Sequence, residues 1–79
     1  MPTVIIEKGY RYFFYSNEGI EPPHIHIAKD NKYAKLWLNP IRLDKNYKFS
    51  VKEINYIVKY VKHNSNFFKE KWHEHFSKA

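Results

Sequence analysis

Two hydrophobic rhythms divide the chain near residue 50. Before it, apolar and polar residues alternate or gather in short β-branched and aromatic runs; after it, apolar residues recur every three or four positions. The runs "TVIIE" and "YRYFFYS" flank Lys8-Gly9, a two-residue joint whose glycine can take positive φ, and together they predict a β-hairpin. "SNEGIEPP", residues 16–23, holds a glycine, an Asn and two prolines and reads as a loop feeding a third strand. Pro23 pushes the residue before it toward extended geometry. "HIHIA" then alternates with period two, and "KYAKLWL" follows the turn "KDN", which predicts a second hairpin. Asn39-Pro40 ends the fourth strand, and Ile41 to Tyr47 is either a connector or a short fifth strand.

From Ser50 the pattern is helical. Ser50 and Glu53 form an S-x-x-E capping box, and Ile54, Ile57, Val58 and Val61 follow on one stripe. "HNSN", residues 63–66, interrupts with residues that prefer caps and turns. Phe68, Trp72 and Phe76 then share a second helical face. The stripe could continue through Ser65 as one helix, but ~27 helical residues would span ~40 Å and overhang so small a domain, which favours two helices. Strands first and helices afterwards predict an α+β fold: a small antiparallel sheet of about four strands, as two hairpins, followed by two C-terminal helices.

Length narrows the organisation further. Seventy-nine residues predict a single domain over residues 1–79. Folding of so short a chain buries only about 60% of its unfolded surface, so the core must be dense in large side chains. Six Phe, seven Tyr and two Trp can supply it. The absence of cysteine removes disulfides, thiolate zinc sites and cysteine nucleophiles together. No run approaches the ~18 apolar residues of a membrane span, and the start "MPTVIIEKGYR" lacks the pattern of a secretory leader, so a cytoplasmic location is expected.

Charge changes the picture more than size does. Fourteen Lys and Arg against eight Asp and Glu leave a formal charge of +6, and the isoelectric point is about 9.6. A field of that sign concentrates polyanions, which makes RNA, DNA or an acidic protein a candidate partner, although twelve of the bases are lysines spread along the chain and also serve solubility.

The candidate chemistry lies in two His-x-His pairs, "HIH" at 24–26 and "HEH" at 73–75. In a strand, residues i and i+2 face one way, so His24 and His26 share a side about 7 Å apart while Ile25 and Ile27 supply the core face. Two imidazoles so placed can converge on a metal or flank a phosphodiester as general base and general acid. They can also be half-exposed residues that hydrogen-bond a loop. Glu18 and Glu21 stand just upstream as groups that could orient an imidazole. On a helix, i and i+2 lie ~200° apart, so at most one of His73 and His75 can join the strand pair; His73 is the candidate, with packing at the core edge the alternative for both. Arg11, in "YRYFFY", could hold phosphate bidentately, or stack on an aromatic ring, or simply lie on the surface. Tyr15, Tyr33, Lys35 and Trp37 form a basic and aromatic mixture that could stack bases and contact phosphate, if they are not core. There is no Gly-rich phosphate loop and no H-E-x-x-H metalloprotease motif.

"MPTV" at the start, "GYRYFFYSNEG", "EPPHIHI", "YAKLWLNP" and "KWHEHF" together resemble a family of short prokaryotic proteins described as a domain of unknown function and marked by a P-P-H-I-H core. The resemblance runs over almost the whole chain. It matches at Tyr10, Arg11, Phe14, Ser16, Glu18, Pro22, Pro23, His24, His26, Ala34, Trp72 and His73, while His75 stands where an aromatic such as Tyr is more usual. The resemblance implies one component of a toxin–antitoxin-like pair, with a small protein partner encoded alongside.

Two functions are therefore expected in competition. In the first, a toxin-like, metal-independent ribonuclease uses His24 and His26 as the acid–base pair; Arg11 and Lys35 hold phosphate, His73 assists, and Tyr15, Lys35 and Trp37 bind substrate. In the second, the chain is a binding or regulatory module without turnover, whose histidines dock a partner or hold a metal, with zinc on His24, His26 and His73 as the specific form.

Overall fold

In the computed structural model, residues 3–15 and 20–76 are described. Five strands precede two helices: β1 (Thr3–Glu7), β2 (Tyr10–Phe13), β3 (His24–Lys29), β4 (Lys32–Leu38), β5 (Ile41–Tyr47), α1 (Val51–His63) and α2 (Ser65–Phe76). The strands form one antiparallel sheet in sequential order, β1-β2-β3-β4-β5. The α+β class and the two helices are as expected. The sheet has one strand more than the two hairpins alone would give, because Ile41–Tyr47 pairs along β4 from Leu38↔Ile41 to Tyr33↔Tyr47. That strand is exposed over nearly its whole length, so it lacks the apolar alternation by which a half-buried strand is read from sequence. The predicted loop at 16–23 falls partly outside the described residues, as do Ser16 and Glu18.

Two of the three tight hairpin joints, β1–β2 and β3–β4, use left-handed backbone. Lys8 and Gly9 have φ of 52° and 83°, the pairing of positive values that a tight two-residue hairpin requires. Asp30, at φ 55°, opens the β3–β4 turn with Asn31. The sheet leaves two edges, and each departs from regular pairing: the register shifts between Thr3 and Ile5 on β1, and between Lys35 and Leu36 where β4 meets β5. Such shifts, with the charged residues Arg42, Asp44 and Lys45 along β5, make poor templates for edge-to-edge association.

One face of the sheet meets the helices. Tyr12, Phe14, Ile25, Ile27, Ala34, Leu36 and Leu38 pack there with Ile57 and Val61 of α1 and Phe68 and Trp72 of α2. Each fully buried large apolar side chain contributes about 1.5 to 3 kcal/mol, which is how so short a chain secures a core. The capping box forms at Ser50: its hydroxyl accepts the Glu53 N–H at 3.1 Å, and the Ser50 N–H donates to Glu53 Oε1 at 3.0 Å. Asn64 ends α1 by donating its N–H to the carbonyls of Tyr60 and Val61 and its side-chain amide to Tyr60, then offers its own carbonyl to the Phe68 N–H of α2. One residue thus satisfies the end of one helix and the beginning of the next, and the break falls inside "HNSN".

Candidate functional site

Strand alternation carries His24 and His26 onto the sheet face opposite Ile25 and Ile27. Register then decides their neighbours: His24 pairs with Trp37, and His26 pairs with Lys35 on one side and Phe13 on the other. The two imidazoles lie 5.0 Å apart between ring centroids, edge to face, closer than the ~7 Å spacing of positions i and i+2 along a strand.

Both rings are enclosed, His24 with 0% of its surface exposed and His26 with 2%. The His24 ring lies 5.6 Å from Trp37 and 4.9 Å from Trp72 of α2. Its Nδ1 donates to the Pro22 carbonyl at 3.0 Å; since a carbonyl only accepts, Nδ1 carries the proton. Glu21 Oε1 stands farther from the same nitrogen, at 3.6 Å, beyond hydrogen-bond range. Of the two upstream carboxylates expected to orient an imidazole, Glu21 is near His24 but gives first place to a backbone carbonyl, and Glu18 lies outside the described residues.

His26 sits in an aromatic box. Its ring stacks on Phe13 at 5.4 Å and on Tyr33 at 5.7 Å and meets Tyr15 edge-on at 4.6 Å. Its Nδ1 is hydrogen-bonded to the Tyr33 hydroxyl at 2.6 Å. Tyr33 is half-buried and Tyr15 is 41% exposed, so the box opens to solvent through these two phenols. The Arg11 guanidinium lies 4.5 Å over the Phe13 ring, the same ring that His26 stacks on.

The other expected residues are placed unevenly. Lys35 reaches this face but is 8% exposed; its ammonium contacts Glu21 at 3.1 Å and Asp44 at 3.6 Å and lies 4.5 Å over Trp37. An ammonium shared by two carboxylates has little charge left for phosphate. Trp37 is half-buried between His24 and Lys35. On α2 the ring that meets His24 belongs to Trp72, while His73 is exposed and His75 stacks on Phe14 at 6.1 Å. The structure therefore brings Arg11, Tyr15, His24, His26, Lys35 and Trp37 to one face and leaves His73 apart. Among the described residues there is no group of three or more His, Cys, Asp or Glu side chains that could hold a metal ion. Tyr33 is the member whose role the sequence reading missed: it was weighed as a base-stacking aromatic, whereas its hydroxyl is the hydrogen-bond partner of His26.

Fold and site together define a small basic α+β module, with a sheet packed on two helices and an imidazole–aromatic cluster on the sheet's other face. The chain belongs to the family described as a domain of unknown function (DUF4160), whose pattern it matches over residues 9–73. No curated protein and no solved structure matches the chain. No helix among the described residues is long and apolar enough to cross a membrane.

Proposed function

We propose that this protein is a toxin-like component of a toxin–antitoxin-type pair that acts on RNA by binding it, with His24 and His26 shaping the sheet rather than turning over a phosphodiester. The observation that carries the binding form of the reading is the enclosure of both imidazoles at 0% and 2% exposure. A general acid or base must reach the reacting group within hydrogen-bond distance, about 2.6 to 3.2 Å between heavy atoms, or through one water, and these rings are surrounded by Trp37, Trp72, Phe13 and Tyr33 instead. The net charge of +6 supports a polyanionic target. The pairing with a second small protein rests on the resemblance described above.

A second reading is favoured by one contact. Tyr33 joins His26 at 2.6 Å and lies on the open side of the cluster. A phenol backed by an imidazole can pass a proton between solvent and the buried ring, so Tyr33 would be the group that meets substrate in a ribonuclease, with Arg11, over the neighbouring Phe13 ring, as the cationic stabiliser.

Controlled expression in a bacterial host separates the readings. The binding form predicts slowed growth with cellular RNA uncut, for wild type and for Tyr33→Phe at matched protein levels. RNA fragments that appear with wild type and vanish with Tyr33→Phe would establish the ribonuclease. Unimpaired growth at high wild-type levels would remove the toxin role.

A further inference from the structure

A second concave region lies at the far end of the strands from His24, and it is built differently. A cavity of about 340 Å³ is lined by Lys8, Tyr10, Lys29, Lys52, Glu53 and Tyr56. Tyr56 is also a wall of a neighbouring cavity of about 290 Å³, shared with Lys59, Tyr60, His63 and Asn64. The two hollows adjoin at Tyr56 and follow one another along α1 as one interrupted groove. Lys52, Tyr56, Lys59 and His63 stand at i, i+4, i+7 and i+11 on that helix, a single stripe about 16 Å long at the helical rise.

The groove is cationic at its rim and aromatic at its floor. Lys29 Nζ lies 4.6 Å over the Tyr10 ring, and Lys8 Nζ lies 5.4 Å over the Tyr56 ring. Lys52 and Lys59 are exposed. The two nearby carboxylates are already engaged: Glu53 accepts from Lys32 at 3.0 Å and from the Ser50 N–H, and both oxygens of Glu7 accept the Tyr56 hydroxyl at 2.7 and 2.8 Å. The Ser50 backbone donor, and after it the Lys32 ammonium, hold the Glu53 carboxyl below its ordinary range, so it stays ionised and paired at neutral pH. Among the described residues, none of the four lysines forms an ion pair; the Lys29 ammonium donates to the Lys8 carbonyl at 3.5 Å.

We propose that this groove is the track for single-stranded RNA, with phosphates on Lys8, Lys29, Lys52 and Lys59 and bases stacked on Tyr56 and Tyr60. The inference rests on the RNA-directed reading above and deepens it by placing the contact surface away from the histidine cluster. Lysines alternating with tyrosine rings are what an unpaired strand needs, because each phosphate requires a cation and each splayed base a flat partner. A duplex hides its base faces and would leave the tyrosines unused. Lys8 is flexible enough to swing from Tyr56 as a base arrives, keeping its charge at the rim.

The test is a salt titration of binding to a short single-stranded RNA carrying one 2-aminopurine, comparing wild type with the Lys52→Gln/Lys59→Gln double variant. Both positions are exposed, so the fold should survive, and unchanged circular dichroism verifies it. Four phosphate contacts predict a slope of log K against log salt of about −2.8, falling by about half in the variant. Quenching of 2-aminopurine on binding would report the stacked base. Wild type that binds with a slope the variant leaves unchanged overturns the groove while sparing the RNA reading. Binding without quenching, matched by polyphosphate of the same length, overturns the stacked-base track in favour of charge alone. Wild type that binds no RNA overturns the RNA reading itself and the groove with it.

Discussion

The Tyr33 hydroxyl and His26 Nδ1 lie 2.6 Å apart across the β3–β4 hairpin. They are not directly opposed: His26 faces Lys35, and Tyr33 faces Ala28. The bond is diagonal, and it brings a half-buried phenol against an enclosed imidazole. Whether that pair is a brace or a proton relay is the question on which the protein's function turns.

If it is a brace, removing the hydroxyl weakens the fold and little else. Tyr33→Phe should lose about 1 kcal/mol of stability in urea unfolding, because a hydrogen bond to an enclosed ring nitrogen is lost while the stacking area stays. An unchanged midpoint would show that the bond contributes nothing.

The capping box makes a sharper local claim. Ser50→Ala removes the acceptor for the Glu53 N–H and should cost about 1 kcal/mol, with helicity lost at the start of α1. Ser50→Asp retains a cap acceptor and should keep most of that stability. Equal losses in the two variants would contradict the cap.

Phe68 should be among the least tolerant positions. It is fully buried against Tyr12 and Tyr60, at ring distances of 5.4 and 6.2 Å, where α2 meets the sheet and α1. Phe68→Ala should cost about 3 to 5 kcal/mol, against a total of about 4 to 12 kcal/mol for a chain of this length. The thermal midpoint is expected to fall by about 12 to 40 °C as followed by near-ultraviolet circular dichroism; an unchanged midpoint would contradict the packing.

Tyr56 supplies a pH prediction. Its hydrogen bond to Glu7, followed by desolvation, raises the phenol from 10.0 to about 12. A raised folded value means that the protonated phenol is favoured in the folded state. Its contribution is complete below pH 10 and is lost as pH rises from 10 through about 12. Glu7→Gln should bring this titration back toward 10.0, read as tyrosinate absorbance. An alkaline titration identical in the variant would mean that Glu7 does not hold the phenol.

Much of the fold could be read from the sequence because several signals agreed. The Lys8-Gly9 joint, the capping box and the break at 63–66 each mark a boundary with residues whose backbone preferences are specific. The fifth strand was ambiguous because its stability comes from pairing with β4 rather than from a buried face of its own. Tyr33's role escaped for a smaller reason. Reading the turn as the three residues Lys29-Asp30-Asn31 sets the hairpin register off by one, whereas the observed pairing closes at Lys29↔Lys32 around a two-residue turn. With that register the diagonal from His26 leads to Tyr33, so the signal was present in the turn. The enclosure of the imidazoles was not legible at all, since it depends on Trp72 arriving from α2, nearly fifty residues away along the chain.

The most direct test of the account incubates the purified chain, without a histidine tag, with a labelled single-stranded RNA, and follows both binding and the length of the RNA. The account predicts a salt-sensitive complex from which the RNA is recovered intact. RNA shortened by the wild-type chain and left whole by Tyr33→Phe or His26→Ala would contradict it, and would make the cluster around His26 an active site.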